Sequence, residues 1–289
     1  MGWRDRLTSR EMVDREYNAV AGVPDLAPYI AHDAEANGRA RRLRHTPDVA
    51  YGRLADETLD IFPAGEPDAP VMVFIHGGYW KSMHSRDFHL VANGLTANGV
   101  TVVLTNYSLC PKVCLAEITR QNRAALAWVR RNIAAHGGSP DKIFVCGHSA
   151  GGQQAAMLAA TDWAGRHKLP GDVVKGVIPI SGLYDLAPLA ESWLQPTLNL
   201  TDELIRGQSP LLNVPADGPP MFVSVGGEES SEFRRQAEEY LAAWQGRGNA
   251  GELFVQEGRN HFTSYRDFNR PDGRLTGRVL DFMKACLGS

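Results

Sequence analysis

The chain has 289 residues, 43% of them hydrophobic and 22% charged, with 29 glycines and 17 prolines. That length suits one large domain or two small ones, an α/β domain alone can fill it, and the composition excludes disorder, collagen-like repeats and low-complexity tails. A net charge of −3 gives no global pull toward nucleic acid or an anionic membrane, and no segment approaches the ~20 apolar residues that span a bilayer.

Four cysteines are too few for a disulfide framework in so long a chain, and Cys110 and Cys114 lack the second pair that a zinc site needs. Met1 to Arg6 leads into charged residues rather than an apolar run, so no secretory signal is expected. The expectation is a cytoplasmic protein with no metal, no cofactor, no nucleic-acid partner and no membrane.

Residues 1–50 are polar and interrupted, and read as an arm or lid laid on the main body. Ser9 followed by Glu11 predicts a capped helix start. Four arginines between Arg39 and Arg44 sit beside Ala and Leu at helical spacing, so they read as a solvated helix face. Thr58 to Phe62 alternates, as a half-exposed strand does, and Pro63 to Pro70 makes a turn.

Val71 to Ile75 is a continuous apolar run, as a strand covered on both faces requires. Runs at 101–105, 143–146, 174–180 and 221–225 repeat that character, and 253–255 is a shorter candidate. Helical patterns at 115–135, 150–160, 233–245 and 273–287 fill the gaps. Buried strands alternating with helices predict a mostly parallel sheet with helices on both faces. Residues 184–212 break the alternation and carry Pro188, Pro196 and Pro210. They are expected to form an insertion over the carboxyl edge of the sheet, where ligands of open α/β sheets sit.

The sharpest motif is Gly147-His148-Ser149-Ala150-Gly151-Gly152, between a strand and an alanine-rich helix. That context is what a G-x-S-x-G nucleophile elbow requires, with Ser149 exposed at the top of the sheet. His76-Gly77-Gly78-Tyr79-Trp80 follows an earlier strand, where the second set of oxyanion donors belongs. Gly78, Tyr79 and Ala150 are therefore the candidate oxyanion donors, and His76 is expected to brace the turn from beneath.

A serine nucleophile needs a base and an orienting carboxylate, in the chain order serine, acid, histidine. Only His167 and His261 follow Ser149, and only His261 lies after the last strand, so His261 is the candidate base. Glu228 and Glu229 both follow the strand at 221–225, where the acid belongs; Asp217 precedes it, and Asp267 follows His261.

These motifs resemble the kynurenine formamidase (arylformamidase) branch of the α/β-hydrolases, related to the hormone-sensitive-lipase-like esterases. The likeness runs from Tyr17-Asn18 through Leu59 to Phe62, His76 to Trp80, Asn106 to Pro111, Gly147 to Gly152 and Ser181 to Leu186, and closes with Glu229 to Gln236 and His261-Phe262. It implies an α/β-hydrolase fold over 1–289, with a small lid formed by residues 1–50 and 184–212. In the family the acid is commonly aspartate, at the position that Glu229 holds here, so the resemblance favours Glu229 over Glu228.

The activity implied is metal-independent hydrolysis of a small amide or ester through an acyl-enzyme; Trp80, Tyr184 and Trp193 are candidate pocket residues, with core or lid packing as the alternative. The competing readings are a hydrolase of a carbamate or lactam on the same triad, and a non-catalytic receptor that keeps the hydrolase pocket.

Overall fold

The computed structural model describes residues 2–288. Eight strands form one sheet: β1 (Thr46–Ala50), β2 (Thr58–Phe62), β3 (Ala69–Ile75), β4 (Thr101–Thr105), β5 (Gly138–His148), β6 (Val174–Ile180), β7 (Met221–Gly226) and β8 (Gly251–Gln256). Their spatial order is β1-β2-β4-β3-β5-β6-β7-β8. The β1–β2 and β2–β4 pairs are antiparallel, and every other pair is parallel.

The continuous apolar runs follow from having a core on each face of the sheet. Val71, Val73 and Ile75 of β3 enter one core, while Met72 and Phe74 enter the other. β5 repeats this, with Ile143 and Val145 on one side and Phe144 and Cys146 on the other. Successive side chains of a strand point to opposite faces, so both sets must be apolar. Each such side chain, fully buried, is worth about 1.5–3 kcal/mol of transfer free energy.

The helices are α1 (Trp3–Arg6), α2 (Arg10–Tyr17), α3 (Ala27–Ala40), α4 (Val91–Ala97), α5 (Leu115–Asn132), α6 (Ala150–Ala159), α7 (Trp163–His167), α8 (Gln195–Leu198), α9 (Asp202–Gln208), α10 (Ser231–Gly246) and α11 (Arg274–Leu287). α2, α5, α6 and α10 cover the first face; α3, α4 and α11 cover the second. Ser9 caps α2, accepting from the Met12 amide at 3.3 Å. Arg39 lies in the last turn of α3 and pairs with Glu35 on the same helix.

Two expectations need correction. β2 is buried from Leu59 to Phe62 rather than half-exposed. β1 shields its outer edge, the His45 ring stacks on Phe62 at 4.7 Å, and Asp60 is enclosed by Ser85 and His89. The stretch before residue 50 is also not all arm, because Thr46–Ala50 is the edge strand itself. Its side chains are largely exposed, so it carries no apolar period to read.

Candidate active site

β5 ends in a cramped turn into α6. Ser149 sits there at φ 58° and ψ −119°, a conformation that costs energy in a residue with a side chain. The turn closes only because its flanks are bare. A Cβ on Gly147 would stand 2.1 Å from the Gly151 carbonyl oxygen, and one on Gly151 would stand 2.0 Å from that of Ile75. The Ser149 amide donates to Ile180 O at 2.9 Å, tying the turn to β6.

His261 lies in the loop after β8. Its Nε2 is 3.0 Å from Ser149 Oγ, and its Nδ1 is 2.7 Å from Glu229 Oε2. The other Glu229 oxygen accepts from the Gly226 amide at 2.7 Å and from Ser181 Oγ at 2.5 Å. Hydroxyl, imidazole and carboxylate therefore stand in series, 112 and 32 residues apart in sequence. Glu228 is exposed, and its backbone amide donates to Arg259 O. The turn from Gly226 to Glu229 thus directs only the second glutamate inward. His167 lies on α7 against Trp163, and Asp267 is engaged by Arg259.

The loop after β3 approaches the elbow from the opposite side. Gly78 has φ +110°, and a Cβ there would lie 2.2 Å from Ser82 O, so only glycine fits. Tyr79 and Trp80 follow at φ 49° and 55°. Among the described residues, neither the Gly78 nor the Tyr79 amide donates to another backbone group. Ala150 opens α6 directly behind Ser149. His76 is fully buried and stacks on Tyr107 at 4.1 Å, beneath the loop; burial pushes its imidazole down to about 3, although the bond to Gly77 O opposes this.

A cavity of about 380 Å³ borders Ser149, His261, Gly78 and Tyr79. Its walls include Trp193 from the 184–212 segment, Phe262 from the histidine loop and Tyr29 from α3. Tyr29 OH accepts from Asn260 Nδ2 at 2.9 Å, and its ring meets Phe262 at 5.7 Å. A larger groove of about 590 Å³ lies at the amino ends of β6 and β7, away from these residues.

Trp193 thus borders the cavity, whereas Trp80 and Tyr184 lie outside it, which corrects the pocket expectation in favour of packing. Both are fully buried: Trp80 Nε1 donates to Gln153 on α6, and Tyr184 stacks on Tyr240 of α10 at 4.3 Å. At these positions the rings fill core beneath the loops.

Residues not singled out as site residues from the sequence also meet here. Ser181, at φ 50° after β6, braces Glu229. His148 Nε2 donates to His261 O at 2.9 Å, and burial holds its imidazole well below its ordinary range. Because a carbonyl only accepts, His148 carries its proton on Nε2. Their signals were short: Ser181-Gly182 after a buried strand, and a histidine inside the elbow.

The model of the BD-FAE family matches residues 59–242. A kynurenine formamidase of Danio rerio is 33% identical over 218 residues, spanning 73% of this chain and 72% of that one. Esterase LipQ of Mycobacterium tuberculosis is 29% identical over 236 residues, covering 73% of this chain and 55% of that protein. A crystal structure from Silicibacter sp. tm1040, provisionally called a thioesterase, superposes with a TM-score of 0.82 at 26% identity, covering 93% and 98% of the two chains. A family match over more than half the chain, together with the formamidase likeness and the sheet order, places this chain in the BD-FAE family, in the kynurenine-formamidase-like branch of the α/β-hydrolases.

Proposed function

We propose that the protein is a serine hydrolase that cleaves a small amide or ester through an acyl-enzyme, in the manner of an arylformamidase or a carboxylesterase. The observation that carries this reading is the bond series from Glu229 through His261 to Ser149 on the wall of the 380 Å³ cavity. His261 Nε2 takes the Ser149 proton as Oγ attacks the carbonyl carbon, and Glu229 holds the opposite nitrogen in its protonated tautomer. The oxyanion rests on the amides of Gly78, Tyr79 and Ala150, which are fixed before the charge develops. The protonated His261 then gives its proton to the departing amine or alcohol, and water repeats the cycle on the acyl-enzyme.

The likeness to a kynurenine formamidase supports the amide reading, and that to esterase LipQ supports the ester reading. Tyr29, Phe262 and Trp193 suit a flat or apolar portion of the substrate. The test is labelling of Ser149 by a fluorophosphonate, followed by turnover of N-formylkynurenine, p-nitrophenyl acetate and longer p-nitrophenyl esters. Absence of labelling in folded protein would overturn the serine mechanism. A rate for the formamide far above the esters would assign amide hydrolysis.

A further inference from the structure

One dipeptide of the arm, Glu16-Tyr17, touches both halves of the site. Tyr17, the last residue of α2, is fully buried. Its carbonyl oxygen accepts from the hydroxyl of Tyr79, the residue with φ 49° in the loop after β3. Its own hydroxyl donates to Glu232 Oε2 at 3.0 Å and accepts from Gln236 Nε2 at 2.7 Å, both on α10. Glu16 binds the start of the same helix: its carbonyl oxygen accepts from Ser230 Oγ at 2.6 Å, and its carboxylate accepts from Ser231 Oγ at 2.7 Å. Ser230 and Ser231 directly follow Glu229. The Tyr17 ring meets Phe233 at 6.1 Å, and Phe233 in turn meets the His261 ring at 4.6 Å.

We infer that Tyr17 is a positioning residue, a cross-tie that holds the oxyanion loop in register with the acid turn and its histidine. The inference rests on the serine reading above. Left-handed backbone at Tyr79 and Trp80 persists only where the surroundings over-determine it. Trp80 is held by Gln153 and by the bond from the Cys110 amide to its carbonyl; Tyr79 is held by the arm. The Tyr79 amide stabilises charge that exists only in the transition state, so a looser Tyr79 slows the chemical step without weakening ground-state binding. The arm therefore acts as a fixed part of the machinery, and α2 stays seated through the catalytic cycle.

The tie has two ends in series, which makes it testable by non-additivity. Tyr79→Phe cuts one end; at the other, Tyr17→Phe removes the bonds to Glu232 and Gln236, leaving the carbonyl and the Glu16 bonds in place. Each should lower kcat and kcat/KM on p-nitrophenyl acetate about tenfold with KM near the wild-type value. Because both changes loosen the same loop, the double variant should also stay near tenfold. Near-wild-type kcat in both single variants, or about a hundredfold loss in the double, would overturn the tie.

If Tyr17→Phe does not fold, Tyr79→Phe decides alone. The tie then requires a trifluoromethyl ketone, a mimic of the tetrahedral adduct, to bind about tenfold more weakly at unchanged KM; wild-type inhibition sinks it. Ser149→Ala separates the two failures. Retained turnover there removes the serine reading and the tie together, whereas silent tyrosine variants beside an inactive Ser149→Ala remove only the tie.

Discussion

Among the described residues, a serine, a histidine and a carboxylate meet both at the carboxyl edge of the sheet and beside β2. At the carboxyl edge of the sheet, Ser149, His261 and Glu229 bond in series, so the imidazole spends one nitrogen on the acid and one on the hydroxyl. Beside β2, Ser85 Oγ and His89 Nε2 both bond to the same Asp60 oxygen, at 3.0 and 2.8 Å. There the carboxylate is the hub: the Asp48 amide reaches its other oxygen, and among the described residues His89 Nδ1 has no hydrogen-bond partner. The three residues are 1–2% exposed and lie outside the 380 Å³ cavity. Residue types alone do not make a nucleophile. The Ser85 hydroxyl also lies 3.0 Å from His84 Nδ1, so what this cluster lacks is the cavity, since the carbon a hydroxyl attacks needs somewhere to sit.

The sharpest way to break this comparison is Ser149→Ala, which should fold normally, take no fluorophosphonate label and lose at least ~10³-fold in turnover. Substantial residual turnover in pure protein would dissolve the distinction between the clusters.

Next in size, Glu229→Gln should lower kcat by about 10²–10⁴-fold, as loss of an orienting acid does elsewhere. Glu228→Gln, one residue away and exposed, should cost less than ~10-fold. A reversed order would move the acid to Glu228. Matching circular dichroism spectra make that comparison valid.

Asp60→Asn should do the opposite of Glu229→Gln, costing about 1–3 kcal/mol of stability in urea unfolding while turnover changes less than ~3-fold. Burial raises the Asp60 carboxyl, but bonds from His89, the Asp48 amide and Ser85 outweigh it and hold it at about 2, below the ordinary 3.8. Between those values the unfolded chain binds the extra proton, so stability from Asp60 is full above the ordinary value and is lost as pH falls toward 2. The variant should flatten that part of the acid-stability curve; an unchanged curve would show that Asp60 is no hub.

The smallest effect is expected from chelation. Every proton in the proposed cycle moves through His261, so EDTA should leave the rate unchanged. Loss on EDTA treatment, restored by zinc, would replace the serine mechanism.

The strands of the parallel sheet were legible because burial on both faces forces unbroken apolar runs, and the elbow because its backbone admits only bare residues at Gly147 and Gly151. β1 was not legible, since an edge strand with exposed side chains has no period, nor was α4, a seven-residue helix with Gly94 at its middle. Gly94 is there because Phe268 and Arg270 carbonyls crowd it, from a loop some 170 residues later.

What the sequence determined by itself was local and covalent: the order of buried strands, the serine on a turn that only glycines can flank, and the lone histidine after the last strand. What only the tertiary structure decided was which groups face one another. It turned Glu229 rather than Glu228 toward His261, put Trp193 on the cavity while sinking Trp80 and Tyr184 into the core, and brought Tyr17 against Tyr79 and Glu232. Those choices depend on the direction of a side chain leaving a turn and on contacts between residues far apart in the chain. Propensity and periodicity describe a residue's neighbours along the chain, and the partners that settle these roles are neighbours only in space.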